Sequence, residues 1–89
     1  MWHSVKLEGY PPEKKLVIVT IKCYDGKRIV RDSCRYVEDL KAENYTDEFC
    51  KEHPSGIWEW LCEAGADYWE HLDSDVIAWT GYPVPYTGE

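Results

Sequence analysis

The chain has 89 residues, 44% of them hydrophobic and 30% charged, with a formal net charge of −7. That is one domain, residues 1–89, with one modest core, and the composition excludes bulk disorder. The negative balance argues against a DNA- or membrane-coating protein, and no run approaches the roughly 18 apolar residues of a membrane span.

Residues 2–15 read as an extended lead-in with a turn at Pro11-Pro12. Leu16–Cys23 is rich in β-branched residues and is the strongest predicted strand. Asp25-Gly26 then predicts a two-residue type I′ turn, and a return strand runs from Arg28 to about Tyr36. In that register Cys23 faces Arg28, Ile21 faces Val30 and Val17 faces Cys34. Alternation places Val17, Val19, Ile21, Cys23, Val30 and Cys34 on a core face. Thr20, Lys22, Lys27, Arg31, Ser33 and Arg35 fall on a mostly solvated face, with Ile18 and Ile29 among them. Cys23 and Cys34 then lie roughly 20 Å apart, too far for a disulfide.

Thr46 caps a predicted helix through about His53, with Asp47 and Glu48 in its first turn and Pro54 at its end. Ser55 caps a second, over Gly56–Ala64, where Ile57, Trp60, Leu61 and Ala64 form an apolar stripe. Trp58 and Trp60 also fit a period of two, so a strand over Ile57–Cys62 is the competing reading. Asp73-Ser74 is a turn, Asp75–Thr80 a last strand, and Gly81–Pro85 a stiff tail. The expected fold is α+β. A small antiparallel sheet of three or four strands, including a hairpin over about 16–36, carries one or two short helices between about 46 and 64.

The net charge hides a split. Residues 1–37 balance to +4, residues 38–75 to −10 and residues 76–89 to −1. A basic sheet face and an acidic helical face can both be solvated, or attract each other within the monomer. The sharper reading is an acidic surface dotted with aromatics that fits a basic partner. Trp58 lies off the apolar stripe and is the expected exposed aromatic, while Trp2 and Trp79 close the core. The candidate binding residues are Trp58, Glu59, Glu63, Asp67, Trp69 and Glu70. Nucleic-acid binding through Lys22, Lys27, Arg28, Arg31 and Arg35 is disfavoured, because the acidic block repels phosphate on so small a domain.

Cys23, Cys34, Cys50 and Cys62 include no Cys-x-x-Cys pair, and no basic segment followed by an apolar one opens the chain. Reduced thiols in a cytoplasm are therefore expected. Cys34, Cys50, His53 and Cys62 have the residue types of a zinc site but not the usual spacing. Cys50 sits among Asp47, Glu48 and Glu52, which raise a thiol pKa and disfavour a nucleophile. Neither a nucleotide-binding loop nor a metalloprotease motif occurs, so no enzyme and no cofactor is expected.

Trp2-His3-Ser4-Val5, Pro11, Leu16–Val19 and Val76–Pro85 resemble the two ends of a small phage and prophage domain family of unknown function. That family opens Trp-x-Ser-Val and closes on a Trp-x-Pro-x-Pro-like segment. Trp79, Pro83 and Pro85 align, while Gly81 stands for a proline and Ala78 for a histidine. The resemblance covers about 30 of the 89 residues. It implies a phage or prophage origin, hence a bacterial host cytoplasm, and a β-rich core closed by Trp2 and Trp79. It supplies no activity, and residues 40–70 have no counterpart in it.

The expected function is a non-enzymatic, acidic phage-type protein that engages a basic surface of a host protein. Its sharpest form is an inhibitor that blocks a nucleic-acid-handling defence factor by mimicry, as an anti-CRISPR or other anti-defence protein does. This rests on class and charge. The alternatives are a zinc- or thiol-stabilised structural module and a phage housekeeping domain.

Overall fold

In the computed structural model, residues 1–62, 68–83 and 88 are described. The β-branched run forms β2 (Val17–Lys22), and the chain returns as β3 (Arg28–Val37). The loop between them differs from the expected two-residue turn. Gly26 N–H donates to the Cys23 carbonyl at 2.9 Å, and Cys23 N–H donates to the Lys27 carbonyl at 2.8 Å. A type I′ turn needs positive φ at two residues, but in this loop Gly26 alone takes it, at 90°. The loop therefore holds three residues, and Asp25 Oδ1 accepts from Lys27 N–H at 3.0 Å.

That extra residue shifts the register by one. Val19 faces Arg31, Thr20 faces Val30, Ile21 faces Ile29 and Lys22 faces Arg28. A bulge containing Ser33, at φ 55°, then restores the expected pairing of Val17 with Cys34. As a result Arg31 moves to the face of Val19, and Val30 leaves the core side and is 65% exposed.

The helix expected over Gly56–Ala64 is instead strand β4 (Ile57–Cys62). Ile57, Trp58 and Glu59 are all buried in succession, which a sheet covered on both faces permits and an amphipathic surface helix does not. Gly56, at φ 95°, turns the chain into β4, and a Cβ there would collide with the Val37 carbonyl oxygen. The helix capped by Thr46 is present as α2 (Asp47–Glu52), with Thr46 Oγ1 accepting from Phe49 N–H at 3.1 Å. A 3-10 turn, Lys41–Glu43, precedes it.

Three further strands enlarge the sheet: β1 (His3–Ser4), β5 (Tyr68–His71) and β6 (Val76–Thr80). Helix α1 (Val5–Glu8) follows β1, with Ser4 Oγ accepting from Leu7 N–H. The six strands form one antiparallel sheet in the order β1-β6-β2-β3-β4-β5. The expectation of an α+β fold on three or four strands is thus corrected: the sheet dominates, and the helices are short additions. Residues 63–67 and 84–87 lie outside the described set, so the Ala64–Gly65 end of the expected helix and part of the expected tail do too.

Each sheet face has its own small core. Val17, Val19, Ile21, Cys34, Tyr36, Trp58, Leu72 and Val76 cluster on one face. The N-terminal segment covers this face: Tyr10 stacks on Tyr36 at 3.9 Å between ring centroids, and Trp79 Nε1–H donates to the Gly9 carbonyl at 3.0 Å. Trp79 does pack against this core, but Trp2 remains 44% exposed. On the other face Val37, Leu40 and Ile57 lie with Tyr45, Phe49 and Cys50, from the 3-10 turn through α2. The first is the N-terminal face and the second the helical face.

Candidate functional site

β4 alternates its side chains between the two faces, and this divides the residues expected to bind together. Trp58 points into the N-terminal face and is 8% exposed, edge-on to Tyr36 at 5.2 Å. The expectation of an exposed aromatic at this position is corrected. Glu59 points to the helical face and is 2% exposed. Trp69 is half-buried there, with the Arg35 guanidinium 4.1 Å over its ring. Glu70 is exposed but lies opposite Trp60, hence on the N-terminal face. Glu63 and Asp67 lie outside the described residues.

Glu59 is a structural carboxylate, satisfied on both oxygens. Arg35, its cross-strand neighbour, donates from Nε to Oε1 at 2.8 Å, and the Tyr45 hydroxyl donates to Oε2 at 2.5 Å. Arg35 Nη2 also donates to Glu43 at 3.2 Å, and Lys14 Nζ lies 3.0 Å from the same Glu43 oxygen. Burial, then the hydrogen bond to Glu59, pushes the Tyr45 phenol well above its ordinary range. A buried carboxylate is tolerated only when paired in this way. The attraction between basic strand and acidic block is therefore partly spent inside the monomer.

Other acids of the same block are left in solvent, Asp73 and Asp75 before β6 among them. Glu38, Asp39, Asp47, Glu48 and Glu52 are exposed in the loop after β3 and on α2. The cations among them are Lys41, 3.5 Å from Asp47, and Lys51. The charge split locates this region in sequence, whereas the aromatics mark residues 58–70. At the far end of β3 the hairpin exposes Lys22, Lys27 and Arg28, with Tyr24, Asp25, Asp73 and Asp75 near them, so this end is of mixed charge. Ten residues of β3 separate the two charged ends by about 30 Å. Arg31 and Arg35 do not join the hairpin end: one stacks over Trp60 at 4.7 Å, and the other is engaged with Glu59.

The zinc arrangement does not assemble. Cys34 and Cys62 are on the N-terminal face, Cys50 and His53 on the helical face, and the sheet lies between them. Among the described residues no three His, Cys, Asp or Glu side chains are placed to hold a metal. The cysteines are free, and burial pushes Cys34 up to about 11. Cys62 is also raised, by burial and then by its contact with Glu70. A nucleophilic thiol needs the opposite shift. His53 is held by Nδ1 against the Phe49 carbonyl at 3.0 Å, with its ring stacked on Phe49 and the His71 ring edge-on at 5.3 Å.

Comparison with known proteins adds no relative: no family model, no curated protein and no solved structure matches this chain. Among the described residues, no helix is long and apolar enough to cross a membrane.

Proposed function

We propose that this chain is a non-enzymatic binding protein whose acidic end engages a basic surface on a partner protein. The observation that carries this reading is the set of exposed carboxylates on Glu38, Asp39, Asp47, Glu48 and Glu52, gathered at one end of the sheet against two lysines. Glu43 and Glu59 are already neutralised by Lys14 and Arg35, and Asp47 by an exposed pair with Lys41, so Glu38, Asp39, Glu48 and Glu52 represent charge that the described ion pairs do not consume. Such a surface steers a basic partner and contributes more to specificity and encounter rate than to raw affinity. The sharper form is mimicry, with carboxylates standing where a bound nucleic acid places its phosphates. A bacterial host factor that handles nucleic acid is then the partner, in keeping with the phage-family resemblance of the two chain ends.

The test is capture from bacterial lysate on the tagged protein, beside a Glu38→Gln/Glu48→Gln/Glu52→Gln variant of equal thermal stability. The reading expects a stoichiometric basic partner that the variant loses and that high salt releases. A partner held equally by both proteins, or none at all, overturns it.

A further inference from the structure

β1 and β5 are the two edges of the sheet. β1 is two residues long and runs straight into α1, which blunts that edge. β5 has four residues, with neither proline nor lysine among them. Its register shows which way its backbone groups point. Leu72 N–H donates to the Trp58 carbonyl at 2.9 Å, and this rung continues the pairing of Glu70 with Trp60 and of Tyr68 with Cys62. In an antiparallel ladder every second residue bonds the same neighbour, so Tyr68, Glu70 and Leu72 are spent on β4. The N–H and C=O groups of Trp69 and His71 therefore point outward, and no described strand pairs with them.

The side chains of β5 set what fits there. Trp69 and His71 are half-buried on the helical face, and Glu70 stands exposed between them on the N-terminal face. Glu70 touches the Cys62 thiol, which is neutral and leaves the carboxylate charge in place. Arg31 and Asp32 line the hollow beside it with opposite charges, so the surface near Glu70 stays net acidic. A strand laid antiparallel along β5 bonds Trp69 and His71 and sets its middle residue opposite Glu70, with Cα atoms about 4.5 Å apart. A second copy is a poor occupant. The register in which two β5 strands use all their outward groups sets one Glu70 directly against the other, and such like-charge pairs are destabilising. A basic side chain at that place gains what the second copy loses.

We propose that the β5 edge takes up an extended segment of a partner protein by strand addition. The segment runs antiparallel, with a lysine or arginine opposite Glu70 and apolar side chains beside Trp69 and His71. Main-chain hydrogen bonds supply the affinity in this mode, and alternate side chains supply the specificity. The edge uses other residues than the acidic end and does not depend on that end binding a protein.

The experiment is a titration of the full chain with two capped heptapeptides, followed by NMR of the backbone amides and their hydrogen exchange. One peptide alternates valine and threonine with lysine in place of the central threonine, and its twin carries glutamate there. In the free chain the Trp69 and His71 amide hydrogens are expected to exchange fast. Millimolar lysine peptide is expected to shift these two signals saturably and slow their exchange. It is expected to bind at least about threefold more tightly than the glutamate peptide. Glu70→Lys, at an exposed position that does not threaten folding, is expected to reverse that preference. Protection of both amides in the free chain overturns the proposal, because a segment of this chain or a second copy then already holds the edge. So does the absence of saturable shifts with the lysine peptide, equal binding of the two peptides, or an unchanged preference in Glu70→Lys.

Discussion

Replacing Glu59 by Gln tests the buried network with almost no change of shape. The carboxylate accepts from Arg35 Nε at 2.8 Å and from the Tyr45 hydroxyl at 2.5 Å. A glutamine offers one oxygen in place of two, so one of these donors meets an amide N–H₂ and the charge is gone. Removing one partner of a buried pair costs about 3–5 kcal/mol. Arg35 keeps part of its support from Glu43 at 3.2 Å and Trp69 at 4.1 Å, so about 2–3 kcal/mol is expected here. For a domain this size that lowers Tm by roughly 10–20 °C. Urea unfolding followed by tryptophan fluorescence gives the free energy. Glu43→Gln, which touches a more exposed pair, is expected to cost only about 0.5–1 kcal/mol. An Arg35→Met/Glu59→Leu/Tyr45→Phe triple variant removes every polar member together and is expected to fall much nearer the parent than Glu59→Gln does. If Glu59→Gln lies within about 0.5 kcal/mol of the parent, Glu59 behaves as a surface acid and the network described here is refuted.

Three further outcomes follow from the packing. Folding holds the Cys34 proton up to about pH 11, whereas the unfolded chain releases it near the ordinary value of 9.0. The unfolded state therefore binds fewer protons across that window, and stability is expected to fall as pH rises from about 9 to 11, with Tyr36 and Tyr45 extending the loss to higher pH. Urea melts at stepped pH check this: Cys34→Ala should flatten the first part of the fall, and a parent profile flat to pH 11 would contradict it. Cys34 and Cys62 are buried while Cys23 and Cys50 are half-buried, so thiol labelling of the native chain should show two faster and two slower sites, merging in denaturant. Gly56→Ala combines φ 95° with a Cβ driven against the Val37 carbonyl oxygen and is expected to cost more than about 1 kcal/mol in the same urea assay.

The parts of the fold legible in sequence were those set by local chemistry. The β-branched run of β2, the Thr46 cap of α2 and the strand at Val76–Thr80 need no tertiary information to be seen. The hairpin turn was located but its type was not. Asp25-Gly26 satisfies a two-residue I′ turn and a three-residue loop with one left-handed glycine alike, and only the bulge at Ser33 reconciles the second with Val17 facing Cys34. The reading of residues 56–64 failed for a related reason. Ile57, Trp60 and Leu61 fit a helical stripe, while Ile57, Trp58 and Glu59 are all buried because α2 covers one side of β4 and the N-terminal segment the other. No pattern within β4 announces covers supplied by distant segments. The same alternation explains the candidate site: acids and tryptophans adjacent in sequence form one patch only on a helix, and a strand sends them to opposite faces. The acidic end was visible as charge, but Glu59 dropped out of it because its partners Arg35 and Tyr45 come from elsewhere in the chain.

The proposed partner contact lies on the exposed acids of the loop after β3 and of α2. Its most direct measurement is partner capture from bacterial lysate by three proteins in parallel, with washes of rising salt. These are the parent, Glu38→Gln/Glu48→Gln/Glu52→Gln, and Lys22→Gln/Lys27→Gln/Arg28→Gln at the opposite end of β3. A basic partner is expected that the hairpin variant retains, the acidic-end variant loses and salt releases. Loss in the hairpin variant with retention in the acidic-end variant would contradict it, as would the absence of any stoichiometric partner.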